Sequence, residues 1–156
     1  MPKFKVLLTD RPWSNWEIER KILAAANAEI IEAPDSDEAT LIDLAQDCDA
    51  IGTCWAQVTE AVISAAPRCR GIARFGIGLD NIAVSTAERL GMPVTFVPDY
   101  CVGEVADHTL ALLLACARNV AFFHVRTKSE EYDLRAAPVM RRLSDCVLGL
   151  VGLGRI

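Results

Sequence analysis

The sequence predicts an α/β fold, a doubly wound parallel sheet with helices on both faces. Two observations predict it. Short apolar runs alternate with helical patterns from the start of the chain. The runs are continuous in Val, Leu and Ile, as in strands buried on both faces, and do not alternate with polar residues. Phe4 to Thr9 reads as the first strand. Ser14 and Glu17 form a capping box, so a helix should run to about Ala26. Glu29 to Ala33 is a second strand, closed by the turn Pro34-Asp35-Ser36. Ala39, Leu41, Ile42, Leu44 and Ala45 mark a second helix, and Asp49 to Thr53 a third strand. Thr59 caps a short helix that Pro67 ends. Gly71 to Phe75 is a fourth strand. Asp80 and Asn81 are capping residues for a helix ending at Gly91, and Val94 to Val97 is a fifth strand.

Short connections between five such strands favour a flavodoxin-like order. Residues 1–98 therefore make one domain. After Pro98-Asp99-Tyr100 the pattern changes. A single long helix is expected over Val102 to Arg126, about 35–40 Å at 1.5 Å per residue. Its centre, Leu110 to Ala115, is apolar all round, which predicts burial on several sides. Thr127 to Ser144 is polar and irregular. Cys146 to Val151 reads as a new strand that runs into Gly152-Leu153-Gly154-Arg155-Ile156. Residues 99–156 are thus an interdomain helix and the start of a second domain.

Composition narrows the function. The chain has 156 residues and a net charge of −5. An acidic chain without a basic run is poorly suited to nucleic acid or anionic membrane, since both need clustered Lys and Arg. The apolar stretch Leu110 to Val125 is broken by Arg118-Asn119 and is shorter than the roughly 20 residues of a membrane span. No signal-peptide pattern opens the sequence. Cys48, Cys54, Cys69, Cys101, Cys116 and Cys146 contain no C-x-x-C and have no histidine at metal-ligand spacing, so reduced, mostly core cysteines are expected and no metal. The expected location is cytoplasmic.

Three segments carry chemistry. Val147-Leu148-Gly149-Leu150-Val151-Gly152-Leu153-Gly154 is a strand entering a G-x-G turn, the opening of a dinucleotide-binding fingerprint. The fingerprint's third glycine, its helix and its acidic ribose-binding residue would all follow Ile156. Arg74-Phe75-Gly76-Ile77-Gly78-Leu79-Asp80-Asn81 lies at the carboxyl end of the fourth strand, where doubly wound sheets place ligands. Gly76 and Gly78 are suited to positive φ and leave backbone N–H groups open to an anion. Pro98 to His108 joins the fifth strand to the long helix, with Tyr100 facing a cleft or covering the core. Thr9-Asp10 also suggests a receiver-like signalling domain. Thr53 and Pro98, however, stand where that chemistry needs a phosphoacceptor Asp and a Lys.

Together, R-F-G-I-G-L-D-N-I, the run G-M-P-V-T-F-V-P-D-Y-C-V-G-E-V-A-D-H-T-L-A-L-L-L-A-C-A-R-N, and L-G-L-V-G-L-G-R-I resemble the D-isomer-specific 2-hydroxyacid dehydrogenases. The resemblance runs from about Asp49 to Ile156. It is greatest to the branches related to C-terminal binding protein and phosphoglycerate dehydrogenase. It implies that the first domain binds substrate and that the second is a Rossmann unit binding NAD. Ile77 then contacts cofactor, and the Ile77–Gly78 backbone holds a 2-oxo acid carboxylate. Gly152, Gly154, Arg155 and Ile156 form the pyrophosphate turn. The family's catalytic arginine, acidic residue and histidine correspond to positions beyond Ile156, so the chain by itself is expected to be inactive and to bind NAD weakly or not at all. His108 and His124 are read as structural. Many relatives have an Arg-Ser pair after the third strand where this chain has Thr53-Cys54-Trp55, and Asp107 replaces a common glutamate. Thr53, Cys54 and Tyr100 join Ile77 and Gly78 as candidate substrate contacts. The resemblance also implies a homodimer and a small 2-oxo or 2-hydroxy acid as substrate. The alternative is a non-enzymatic, corepressor-like interaction protein on the same fold.

Overall fold

Five parallel strands hydrogen-bond in the order β2-β1-β3-β4-β5 in a computed structural model that describes residues 4–156. The strands are β1 (Phe4–Leu8), β2 (Ala28–Glu32), β3 (Ala50–Thr53), β4 (Ile72–Arg74) and β5 (Val94–Thr95). This is the flavodoxin-like order expected from the short connections. Right-handed crossovers fix the helix layers. The step from β1 to β2 runs opposite to the later steps, so its helix, α1 (Glu17–Ala25), lies on one face. Helices α2 (Glu38–Ala45), α3 (Glu60–Ser64) and α4 (Val84–Arg89) lie on the other.

The core sits under α2 to α4. Leu41 and Ala45 of α2, Val62 and Ile63 of α3, and Ala87 of α4 pack with Leu7, Ile51 and Ile72 of the strands, and all are buried. The α1 face is thinner. α1 buries no residue completely, and Ile18 and Ile22 are exposed. An open apolar hollow remains between Ile22 and Leu23 of α1 and Val6, Leu8, Gly52, Ala73 and Phe75 of the sheet.

Local chemistry sets the helix ends, with two departures from expectation. The capping box at α1 does not form: Asn15 Oδ1 accepts from Glu17 N (3.0 Å), and Trp16 occupies the N-cap position. Trp16 is needed elsewhere. Its buried ring packs edge-on against Trp13 and beside Phe75, and this apolar anchorage fixes the start of the helix. Asn27 ends α1 at φ 56°, a conformation that Asn tolerates. Thr59 caps α3 by accepting from Val62 N (3.4 Å), as the sequence predicts. α4 begins only at Val84, so Asp80 and Asn81 do not cap it. Gly91 ends the segment with φ 69°.

The chain divides into two compact units, Met1–Tyr100 and Cys101–Ile156. In the second, the expected single helix is two: α5 (Val102–Ala117) and α6 (Val120–Lys128), bent by 66°. The Arg118-Asn119 interruption is the cause. Asn119 takes φ 53°, which stops the α-helical ladder, and its Nδ2 donates to Pro138 O (2.9 Å). No residue of α5 is buried, contrary to the expectation from its apolar centre; Leu110, Leu112 and Leu114 are exposed. No single helix among the described residues is long and apolar enough to cross a membrane, although the bent α5–α6 pair passes that test together. Cys146 to Val151 is extended but forms no strand, and Val147 and Val151 are exposed. A parallel strand exists only through a ladder partner. None of the described residues of the second unit forms another strand to supply one.

Candidate functional site

The strand order reverses between β1 and β3, and there the carboxyl ends of β1, β3 and β4 bring together Thr9, Asp10, Thr53, Arg74 and Asn81. Such a switch point leaves a crevice because neighbouring connections depart on opposite faces. Asp10 follows β1 directly. Its Oδ1 accepts from Cys54 N (2.8 Å) and Thr9 Oγ1 (2.8 Å), and its Oδ2 from Trp55 N (2.6 Å). Burial pushes the Asp10 carboxyl up. The donated bonds from the Cys54 and Trp55 amides, the Thr9 hydroxyl and the Ala56 amide outweigh this and hold it below the ordinary Asp value. Asp10 is therefore an ionised peg in the loop after β3.

That loop has little polar function left to offer outward. Thr53 is fully buried, and its Oγ1 donates to Ala56 O (3.1 Å) and lies 3.4 Å from Asp10 Oδ1. Cys54 is buried, with Sγ against Phe75 O (3.8 Å). Burial, with the Asp10 charge behind it, raises the Cys54 thiol above its ordinary range, so it stays protonated. Trp55 projects, 62% exposed, and Gln57 is the exposed polar side chain beside it.

The loop after β4 is the complement. Asn81, expected as a helix cap, is instead buried: Nδ2 donates to Ala56 O (2.9 Å), and Oδ1 accepts from Arg74 Nε (3.1 Å). The Arg74 guanidinium is thereby folded back over Gly76. A Cβ at Gly76 would stand 2.5 Å from Arg74 Nη1. A side chain at Gly76 would thus have to displace the Arg74 guanidinium, and positive φ plays no part: neither Gly76 nor Gly78 has it. Gly76 O accepts from Val97 N (3.1 Å), which anchors the loop to the end of β5. Ile77 and Gly78 are exposed. The result is a fixed cation beside a solvent-facing, side-chain-poor backbone. Tyr100, at the end of this unit, is 62% exposed.

In the second unit, Gly152 has the positive φ, 89°, that a tight turn requires. Space around the Cβ positions of Gly152 and Gly154 is open. Gly152, Gly154, Arg155 and Ile156 are all exposed. This backbone would admit a pyrophosphate without a steric obstacle. Among the described residues no group of His, Cys, Asp and Glu could hold a metal ion.

The family description "D-isomer specific 2-hydroxyacid dehydrogenase, catalytic domain" matches residues 6–146. The chain belongs to this family. It is 35% identical over 129 residues to the glyoxylate reductase of Korarchaeum cryptofilum, covering 80% of this chain and 39% of that protein. Over 100 residues it is 38% identical to the hydroxypyruvate reductase of Thermotoga maritima, covering 64% of this chain and 32% of that one. The fold is also that of the crystallised D-lactate dehydrogenase from Aquifex aeolicus, complexed with NAD and lactic acid. The TM-score is 0.83 at 24% identity, over 96% of this chain and 45% of that one. The chain thus spans well under half the length of these relatives.

Within this dehydrogenase-family chain, Arg74 lies inside a motif the sequence singled out. Asp10 and Asn81 were not legible as site residues. The one signal available was position: an Asp at the carboxyl end of the first strand of a doubly wound sheet. Asp10 yields a test. Its depressed carboxyl contributes stability that is complete above the unfolded value of about 3.9 and is lost as pH falls through the lower folded value. Asp10→Asn should flatten the acid limb of a stability-against-pH profile. Asp10→Ala should cost about 1 kcal/mol or more in urea denaturation at neutral pH, because the Cys54 and Trp55 amides lose their acceptor. An unchanged acid limb in Asp10→Asn would contradict the peg.

Proposed function

We propose that the whole protein transfers a hydride between NAD and a small 2-hydroxy or 2-oxo acid, and that the first unit supplies the carboxylate-binding half of its site. One observation carries this. The loop Arg74–Gly78 stands at the carboxyl edge of the sheet with its cation fixed by Asn81 and its Ile77–Gly78 backbone open. A carboxylate needs N–H donors in a positive field, and this loop offers both. Thr53 and Cys54 support the floor of the crevice from within, while the exposed Trp55 gives it an apolar wall. An indole in place of a polar arm favours a short, weakly polar substrate tail.

NAD supplies the hydride acceptor or donor. Gly152, Gly154, Arg155 and Ile156 are the residues of this chain that would hold its pyrophosphate. The relatives named glyoxylate reductase and hydroxypyruvate reductase support a two- or three-carbon 2-oxo acid.

We also propose that the protein is a homodimer formed through α5 and α6. Leu110, Leu112, Leu113 and Leu114 are exposed on α5. On α6, Phe122 and Phe123 stack edge-on, with ring centroids 5.5 Å apart. Each large apolar side chain left in water forgoes roughly 1.5–3 kcal/mol of burial, and contiguous stripes of this size mark association sites.

Two measurements follow. Steady-state NADH oxidation by the full-length protein should proceed with glyoxylate or hydroxypyruvate. Gly78→Val should raise KM for that acid at least about tenfold, a loss of about 1.4 kcal/mol of binding. Its effect on urea stability should stay within about 0.5 kcal/mol, since the new side chain meets only the exposed Asp80 carboxylate. An unchanged KM would show the loop to be a turn only, and the absence of turnover with every short 2-oxo acid would overturn the activity. For the dimer, light scattering at tens of micromolar should give twice the chain mass, and Leu113→Glu should halve it; a monomer, or a variant of unchanged mass, would contradict it.

A further inference from the structure

At the opposite end of the sheet from the site, two cysteines meet in a register that the strands impose. β3 and β4 pair with a constant offset: Ile51 with Ile72, Gly52 with Ala73, Thr53 with Arg74. Backbone bonds extend this register below the strands, from Ile51 N to Gly71 O (3.2 Å) and from Arg70 N to Asp49 O (2.9 Å). The next pair at the same offset is Cys48 and Cys69, and the one after is Asp47 and Arg68, which form an ion pair (2.7 Å). Parallel neighbours lie about 4.7–4.9 Å apart, inside the roughly 4.4–6.8 Å Cα separation of disulfides. Both side chains belong to the same apolar cluster, their thiols interact electrostatically, and the Cys69 thiol donates to Gly71 O (3.4 Å).

We propose that Cys48 and Cys69 form a reversible dithiol–disulfide site, oxidised by a peroxide. The two cysteines are not equivalent. Cys69 is the outer one, 7% exposed against 0% for Cys48. The Cys48 thiol beside it holds Cys69 below the ordinary thiol range. The same interaction, with burial, raises Cys48. Cys69 is therefore the attacking thiolate, since the thiolate is the nucleophile. It displaces water from hydrogen peroxide to give the sulfenic acid. Cys48 then attacks that sulfur, the S–S bond forms, and a second water leaves. One peroxide is reduced by two electrons and the two thiols are oxidised by two. A dithiol reductant reverses the step by exchange. The bridge joins the N-terminal ends of β3 and β4, the two strands whose carboxyl ends carry Thr53–Trp55 and Arg74–Gly78.

The test is differential alkylation of the purified, folded full-length protein after exposure to hydrogen peroxide, with peptide mass spectrometry. Cys101, Cys116 and Cys146 are first replaced by serine. The expected result is a Cys48–Cys69 cross-linked peptide with the loss of two hydrogens, reversed by dithiothreitol. The oxidised protein should also melt at a higher temperature than the reduced one. Cys48→Ser should abolish the cross-link and leave Cys69 as a dimedone-reactive sulfenic acid. Should Cys48→Ser not fold, the wild-type cross-link and its reversal decide the matter alone. Cys48 and Cys69 both remaining alkylatable after peroxide and unfolding, or a cross-link between other cysteines only, would overturn the proposal.

Discussion

The bonds from the Cys54 and Trp55 amides to the Asp10 carboxylate hold the first unit's crevice in shape. β1 and β3 are neighbours in the sheet, but the connections that follow them leave on opposite faces. Without a tie across that divergence, the Cys54 and Trp55 amides of the loop after β3 would lose their protein acceptor. Asp10 supplies the acceptor, and its ionisation is the electrostatic consequence. Ordering then passes along a chain of contacts. The β3 loop presents Ala56 O, Ala56 O holds the Asn81 amide, and Asn81 holds the Arg74 guanidinium above Gly76. The innermost link, from Asn81 Nδ2 to Ala56 O, is buried. The exposed Ile77–Gly78 backbone is left as the surface available to a ligand.

Much of the fold was legible because hydrophobic runs and punctuation agree. Five strands and four helices of the first unit follow from apolar run length, from Thr59 as a cap and from Gly91 as a stop. The failures have physical causes. Ser14 and Glu17 match a capping box in spacing, yet burying the Trp16 ring sets the helix start, and tertiary packing outweighs a local cap. Asp80 and Asn81 read as caps, yet Asn81 is worth more as a buried bridge between two loops. Cys146 to Val151 has a strand's composition, but a strand is a property of a ladder, and composition cannot provide the partner. In the long helix, the Arg118-Asn119 pair marks the break; the apolar pattern around it hides it.

For the site, sequence reasoning located the Arg74–Asn81 motif and the Gly152 turn, but it assigned the glycines of the first loop to the wrong constraint. At Gly76 a side chain would push against the Arg74 guanidinium; its φ angle places no demand on the residue. Asp10 drew attention only through Thr9-Asp10 as a receiver-like pair; its role as a tie escaped notice because its partners are backbone amides 44 and 45 residues away in sequence. No spacing rule reports such a contact. Cys48 and Cys69 are similar: 21 residues apart and in no motif, they become neighbours only through the β3–β4 register.

The measurement that bears most directly on the account is a crystal structure of the full-length protein with NADH and oxamate, an unreactive analogue of a short 2-oxo acid. The account predicts the oxamate carboxylate within hydrogen-bonding distance of the Ile77 or Gly78 N–H, with Arg74 still held by Asn81. A carboxylate bound elsewhere, with the Ile77–Gly78 amides turned to solvent, would contradict it.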